Sequence, residues 1–118
     1  MDPEGYINLG DTSQSEGNFK QAIEFYQRAL STAKEIGDKQ SEGIAYHYLG
    51  NAYHSLNDFK KEIENHQQAL VIAKEIQDKS LEGVTALAML ITFSVILKQQ
   101  SCSITRLLAS QKKLKSNN

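Results

Sequence analysis

Hydrophobic positions recur along this chain at helical spacing. From Phe19 to Ile36, the residues Phe19, Ile23, Tyr26, Leu30 and Ala33 fall at steps of three and four, so a helix there carries one apolar stripe. Phe59, Ile63, His66, Leu70 and Ala73 repeat the pattern. A shorter helix is predicted over residues 41–56, with Tyr46, Leu49, Gly50 and Tyr53 on its packing side. Asn18 and Asp58 stand just ahead of the two long helices, where a side-chain oxygen can accept the orphan amide protons of a first turn. Gly37 is placed to end the first long helix in a left-handed cap, and Gln77 stands at that position in the second copy.

The two patterns are copies of one unit. Residues 3–42 laid against 43–82 without gaps share 18 identities in 40 positions. They include Tyr6 and Tyr46, Leu9 and Leu49, Gly10 and Gly50, Phe19 and Phe59, and Ala29 and Ala69. A fixed period between about 20 and 50 residues marks stacked supersecondary units. Gly10, Gly50, Ala29 and Ala69 stand where antiparallel helices of a hairpin need close approach, so a β-branched residue at Gly50 is expected to be disruptive.

With these motifs in hand, the chain resembles the tetratricopeptide repeat family, in particular its forty-residue variant found in G-protein-signalling modulators of the Pins type. The resemblance rests on Ala45, Tyr46, Leu49, Gly50, Asn51, Ala52, Tyr53, Leu56, Asp58 and Phe59, followed by Ile63, Ala69, Leu70 and the run Ala73-Lys74-Glu75-Ile76. It implies an all-α fold in which antiparallel helix hairpins stack as a short right-handed solenoid. Repeats are expected at 3–42 and 43–82, within a unit spanning 1–82, and 83–118 forms either a degenerate third hairpin or an apolar capping helix with a basic tail. Glu62 departs from the pattern, since the first copy has the small Ala22 there; either the hairpin splays or Glu62 reaches solvent. The first copy has Ser13 and Glu16 where the second has Tyr53 and Leu56, which suits an N-terminal cap.

After residue 82 the pattern decays. Leu90 replaces the close-approach glycine, Phe93 falls where Tyr53 stood, and Cys102 and Ala109 fall at small-residue positions, where inert packing is expected of the thiol. Residues 84–97 are apolar almost all round and read as a buried helix. Charge breaks at the same place: residues 1–82 hold all 14 acids and 8 basic residues, and residues 83–118 hold 5 basic residues and no acid. An evolved cap and the interrupted end of a longer array both fit this break.

The resemblance implies a non-catalytic scaffold or adaptor that holds a peptide segment of a partner protein in a concave groove. The matching groove positions are Ile7, Asp11 and Gln14 in the first copy and His47, Asn51 and His54 in the second; Asn51 can donate to and accept from a peptide backbone at once. His47 and His54 lie seven residues apart, about 10.5 Å of helical rise, which is too far for joint metal ligation without other ligands. Glu24 with Arg28, Glu35 with Lys39 and Glu75 with Lys79 form i, i+4 pairs of a solvated face. No nucleophile–base constellation or glycine-rich phosphate loop stands out, so neither enzymatic activity nor a cofactor or metal is expected.

The tail cations Arg106, Lys112, Lys113 and Lys115 lack interleaved aromatics, so no nucleic-acid partner is expected. The lone Cys102 and the acidic, polar start Met1-Asp2-Pro3-Glu4-Gly5 point to a reducing compartment, the cytoplasm. Two alternatives use residues 84–97: membrane association and a homo-oligomer. Fourteen residues give about 21 Å of helix against a hydrocarbon core of about 30 Å, so a span is not expected.

Overall fold

The computed structural model describes the backbone of residues 1–116 and the side chains as far as Lys112; Lys113 and Lys115 of the basic tail lie outside the described side chains. Five helices follow one another: α1 (Pro3–Ser15), α2 (Phe19–Ile36), α3 (Lys39–Ser55), α4 (Phe59–Glu75) and α5 (Lys79–Ser116). Each packs on the next, and α1 with α3 and α3 with α5 also touch, so the odd-numbered helices line one face and the even-numbered ones back it.

A twenty-residue rhythm of turn chemistry sets the boundaries. Left-handed residues occur at Gly17, Gly37, Asn57 and Gln77, with φ of 82°, 73°, 60° and 59°. One residue after each comes Asn18, Asp38, Asp58 or Asp78, at or just before the next N-cap. The aspartates accept amide protons from Ser41, Lys61 and Leu81 at 3.1, 3.3 and 3.1 Å. The Ser41 hydroxyl and amide together hold the Asp38 carboxyl below its ordinary value. Asn18 makes no side-chain capping bond, contrary to expectation; backbone bonds to Gln14 and Ser13 tie that turn instead.

Inside each hairpin a large ring of the long helix sits on a glycine of the short one. A Cβ built on Gly10 would lie 2.4 Å from the Tyr26 ring, and one on Gly50 would lie 2.4 Å from the His66 ring. Tyr26 and His66 are themselves fully buried, so neither ring can swing away. Ala22, Ala29, Ala33, Ala45, Ala52, Ala69 and Ala73, all fully buried, let the backbones of neighbouring helices close in around these rings. The i, i+4 pairs expected on the surface give way to Lys39–Glu42 and Lys79–Glu82, at 3.6 and 3.7 Å, and the Arg28 guanidinium lies 6.0 Å from the Phe25 ring centre.

A single helix, without a turn, occupies the third unit. The rhythm places the next turn near residues 97 and 98, but Leu97 and Lys98 supply neither a left-handed former nor an acceptor cap, and no glycine or proline follows Gly83. The helix runs past the body of the repeats, which stretches the molecule to 69 × 31 × 19 Å.

The expectation that residues 84–97 are buried does not hold. Leu81, Thr85 and Thr92 are the buried positions of α5, whereas Val84, Leu87, Leu90, Ile91, Phe93 and Leu97 are exposed, Leu90 by 65%. Cys102 is exposed too, so the packing expected of its thiol is absent. Among the described residues α5 is the one helix long and apolar enough to cross a membrane by length and composition.

Gly50→Val should cost about 2–3 kcal/mol by forcing the enclosed His66 ring aside. Gln77→Gly should add about 0.5–1 kcal/mol by relieving the left-handed backbone of a side-chain-bearing residue. Urea titration checks both, and opposite signs in the two variants are required.

Candidate functional site

The surface of α1, α3 and α5 holds three adjoining depressions, and Tyr48 lines all of them. Asp11, Gln14, Ser15 and Asn51 complete one of about 250 Å³ between α1 and α3. Glu4, Ile7, Asn8, Asp11, Gln40, Ser41 and Ile44 bound a second of about 370 Å³. The third, about 350 Å³, lies between α3 and α5 and is bounded by Gln40, Ile44, His47, Asp78, Ser80, Leu81 and Val84. Asp11, Gln14 and Asn51 are thus brought together, Ile7 is buried at the rim, and His47 belongs to the α3–α5 side. His54 lines none of the three.

The polar residues of this face also bond to the rings beneath it. The Tyr26 hydroxyl donates to Asp11, with Gln14 Oε1 3.1 Å away as a second acceptor. Burial, reinforced by Asp11, pushes the Tyr26 phenol far above its ordinary range, so it stays protonated and remains a donor. In the second hairpin, forty residues on, His66 takes the place of Tyr26 and Asn51 that of Asp11, with Nε2 of the ring 3.3 Å from Asn51 Oδ1. Asn51 Nδ2 lies 3.3 Å from His47 Nε2, and His47 Nδ1 lies 3.1 Å from Thr85 Oγ1.

One tautomer set satisfies this row throughout. His66 Nε2–H donates to Asn51, Asn51 donates to His47 Nε2, and His47 Nδ1–H donates to Thr85, with both imidazoles neutral.

Beside this row lies a buried carboxylate. Glu62 is 1% exposed, so of the two expected alternatives the one in which it reaches solvent does not hold. It accepts from His54 Nδ1 at 2.9 Å and from the Thr92 hydroxyl. His66 Nδ1 stands 3.5 Å from Glu62 Oε2, the oxygen that Thr92 bonds, and is a buried nitrogen without a hydrogen bond. Desolvation holds the His66 pKa below its ordinary value against the opposing pull of Glu62. Thr85 and Thr92 therefore dock α5 through hydroxyls, onto His47 and onto Glu62 with His54.

Tyr48 escaped the sequence reasoning. It aligns with Asn8, so it is absent from the identities between the copies. Its ring stacks on Tyr26 with centroids 5.5 Å apart, and burial followed by Asp11 raises its pKa. An off-pattern aromatic on a short helix was the available signal. No group of three or more His, Cys, Asp or Glu side chains among the described residues could hold a metal ion.

Stacked antiparallel hairpins, with a glycine seat for each ring and a face lined by every first helix, define a helical repeat protein. The chain belongs to the tetratricopeptide repeat family, whose model matches residues 3–75. That family is a protein-interaction repeat and generally non-catalytic. Among curated proteins none matches the chain in sequence.

His47 supplies a pH test. Burial, with His66 adding to it, lowers its pKa from 6.5 to about 4. The folded chain therefore binds fewer protons than the unfolded one between these values, so stability present above pH 6.5 is lost as pH falls towards 4. Thermal unfolding followed from pH 7.5 to 4.5 should show a falling midpoint in that window, with a shallower fall in His47→Gln. A slope unchanged by the substitution would contradict the neutral imidazole.

Proposed function

We propose that this chain is a non-catalytic adaptor whose α1–α3–α5 face holds an extended peptide segment of a partner protein. The observation that carries this is the convergence of Asp11, Gln14, Asn51 and Tyr48 on one depression, on the face that every first helix of a hairpin shares. Tyr48 offers an apolar platform with a polar tip, and Gln14 and Asn51 offer amides to a peptide backbone. Asp11 accepts the Tyr26 proton through Oδ1 and has its second oxygen left for a ligand. With Glu4 and Asp78 bordering the neighbouring depressions, the face favours a peptide carrying a basic residue. His47 and His54 contribute at the α5 edge by holding Thr85 and Thr92 rather than by reaching outward.

The forty-residue period supports placing the chain with the Pins-type variant of the family. Its single cysteine suits a cytoplasmic setting. Selection from a random ten-residue peptide library displayed on phage should enrich basic sequences. The selected peptide should then bind Asp11→Asn and Gln14→Ala at least about tenfold more weakly, a loss of about 1.4 kcal/mol, with thermal stability nearly retained. Enrichment of acidic peptides, or equal binding by both variants, would remove the assignment of this face.

A further inference from the structure

The outer side of α5 carries a seam that its own repeats do not use. Leu87, Leu90, Leu97, Ile104 and Leu108 are all exposed and follow a seven-residue pattern: Leu90, Leu97 and Ile104 hold one position of the heptad. Leu87 and Leu108 hold the other, and Ser94 and Ser101 fill it between them. The seam crosses the polar run from Lys98 to Ser103 and continues beyond it. A bilayer rewards an unbroken apolar belt rather than a stripe resumed after six polar or small residues, whereas a helix partner needs only the stripe.

Residues 97–112 are all exposed and project past the repeats. A single solvated helix of about 12–15 residues is marginal in water, so this half of α5 needs something against it.

We infer that a second copy of this chain covers the seam, with the two α5 helices antiparallel and the projecting half of each lying along residues 79–94 of the other. Charge selects the copy and the direction. Residues 83–118 carry only positive charge and residues 1–82 carry a net of −6, the difference between their 8 basic and 14 acidic residues. A parallel pair sets Lys98, Arg106 and Lys112 beside their own duplicates. The antiparallel pair moves Arg106 and Lys112 to within about a turn of the partner copy's Glu82 and Asp78.

Size alternation selects the register. Centred between residues 95 and 96, the pairing sets Leu87 opposite Ile104, Leu90 opposite Ser101 and Ser94 opposite Leu97, so each serine receives a leucine and the backbones close in. The contact is isologous and closes at two copies. Each projecting half then occupies the place that the second helix of a third hairpin would fill. This inference is independent of the peptide-binding face and survives if that assignment fails.

Light scattering after size exclusion of the full chain, across a hundredfold concentration range, should give twice the 13.2 kDa chain mass, falling towards one chain on dilution. Leu97→Glu, at an exposed position, should remain monomeric with the circular dichroism of its repeats retained. Spin labels on Ser110→Cys in a Cys102→Ser background should lie about 44 Å apart along the axis, against less than about 20 Å for a parallel pair. A monomer throughout, a dimer indifferent to Leu97→Glu, or the short label distance would each overturn the inference. So would co-sedimentation of a monomer with phosphatidylserine vesicles, which would assign the seam to a lipid surface.

Discussion

A ring seated on a glycine is the contact on which the rest of this structure depends. Tyr26 over Gly10 and His66 over Gly50 bring the two helices of each hairpin closer than any Cβ would allow. The flanking alanines then fit only because that spacing has been set. Close approach carries a polar consequence: a phenol or an imidazole enclosed between helices needs a hydrogen-bond partner in the same plane of packing. Asp11 meets that need in the first hairpin and Asn51 in the second, forty residues apart and on the same face of the short helix.

Those partners would tie stability to the proposed recognition. Asp11, Gln14 and Asn51 border the depression in which a ligand is proposed to lie, and they are also the groups that satisfy the buried rings. Their side chains are fixed from beneath, so a peptide meeting them would find oriented donors and acceptors rather than mobile ones, with less ordering entropy to lose on binding. Loss of Asn51 would disturb His66 and His47 together, so binding and folding effects separate more cleanly at Asp11 and Gln14.

Helix α5 reverses the usual partition of polar and apolar residues. Thr85 and Thr92 face the repeats beside Leu81, whereas Leu87, Leu90 and Leu97 face outward. The second hairpin presents histidines and a carboxylate to the next helix, and an all-leucine face there would leave Glu62 Oε2 and His47 Nδ1 without the hydroxyl bonds they now make. Threonine hydroxyls supply those bonds at little cost in packing volume. The apolar side chains are left on the opposite surface, which the proposed second chain would cover.

The repeat is legible from residues 1–82 alone, because the ring, glycine, alanine and aspartate positions are enforced by local sterics and capping and recur in register. Helices α2 and α4 and the left-handed Gly37 follow from spacing and turn chemistry alone, whereas Asp11, Gln14 and Asn51 were legible only as positions that the family resemblance assigns to a groove. Where the third unit turns its faces depends instead on long-range packing. Burial of α5 depends on what the preceding hairpin presents, and the contacts of Thr92 with Glu62 and His54 and of Thr85 with His47 join residues 30 to 38 positions apart that share no repeat identity. Apolar content said that residues 84–97 want to be covered; long-range hydrogen-bond demand at Glu62 and His47 decided that this chain's own repeats would not cover them.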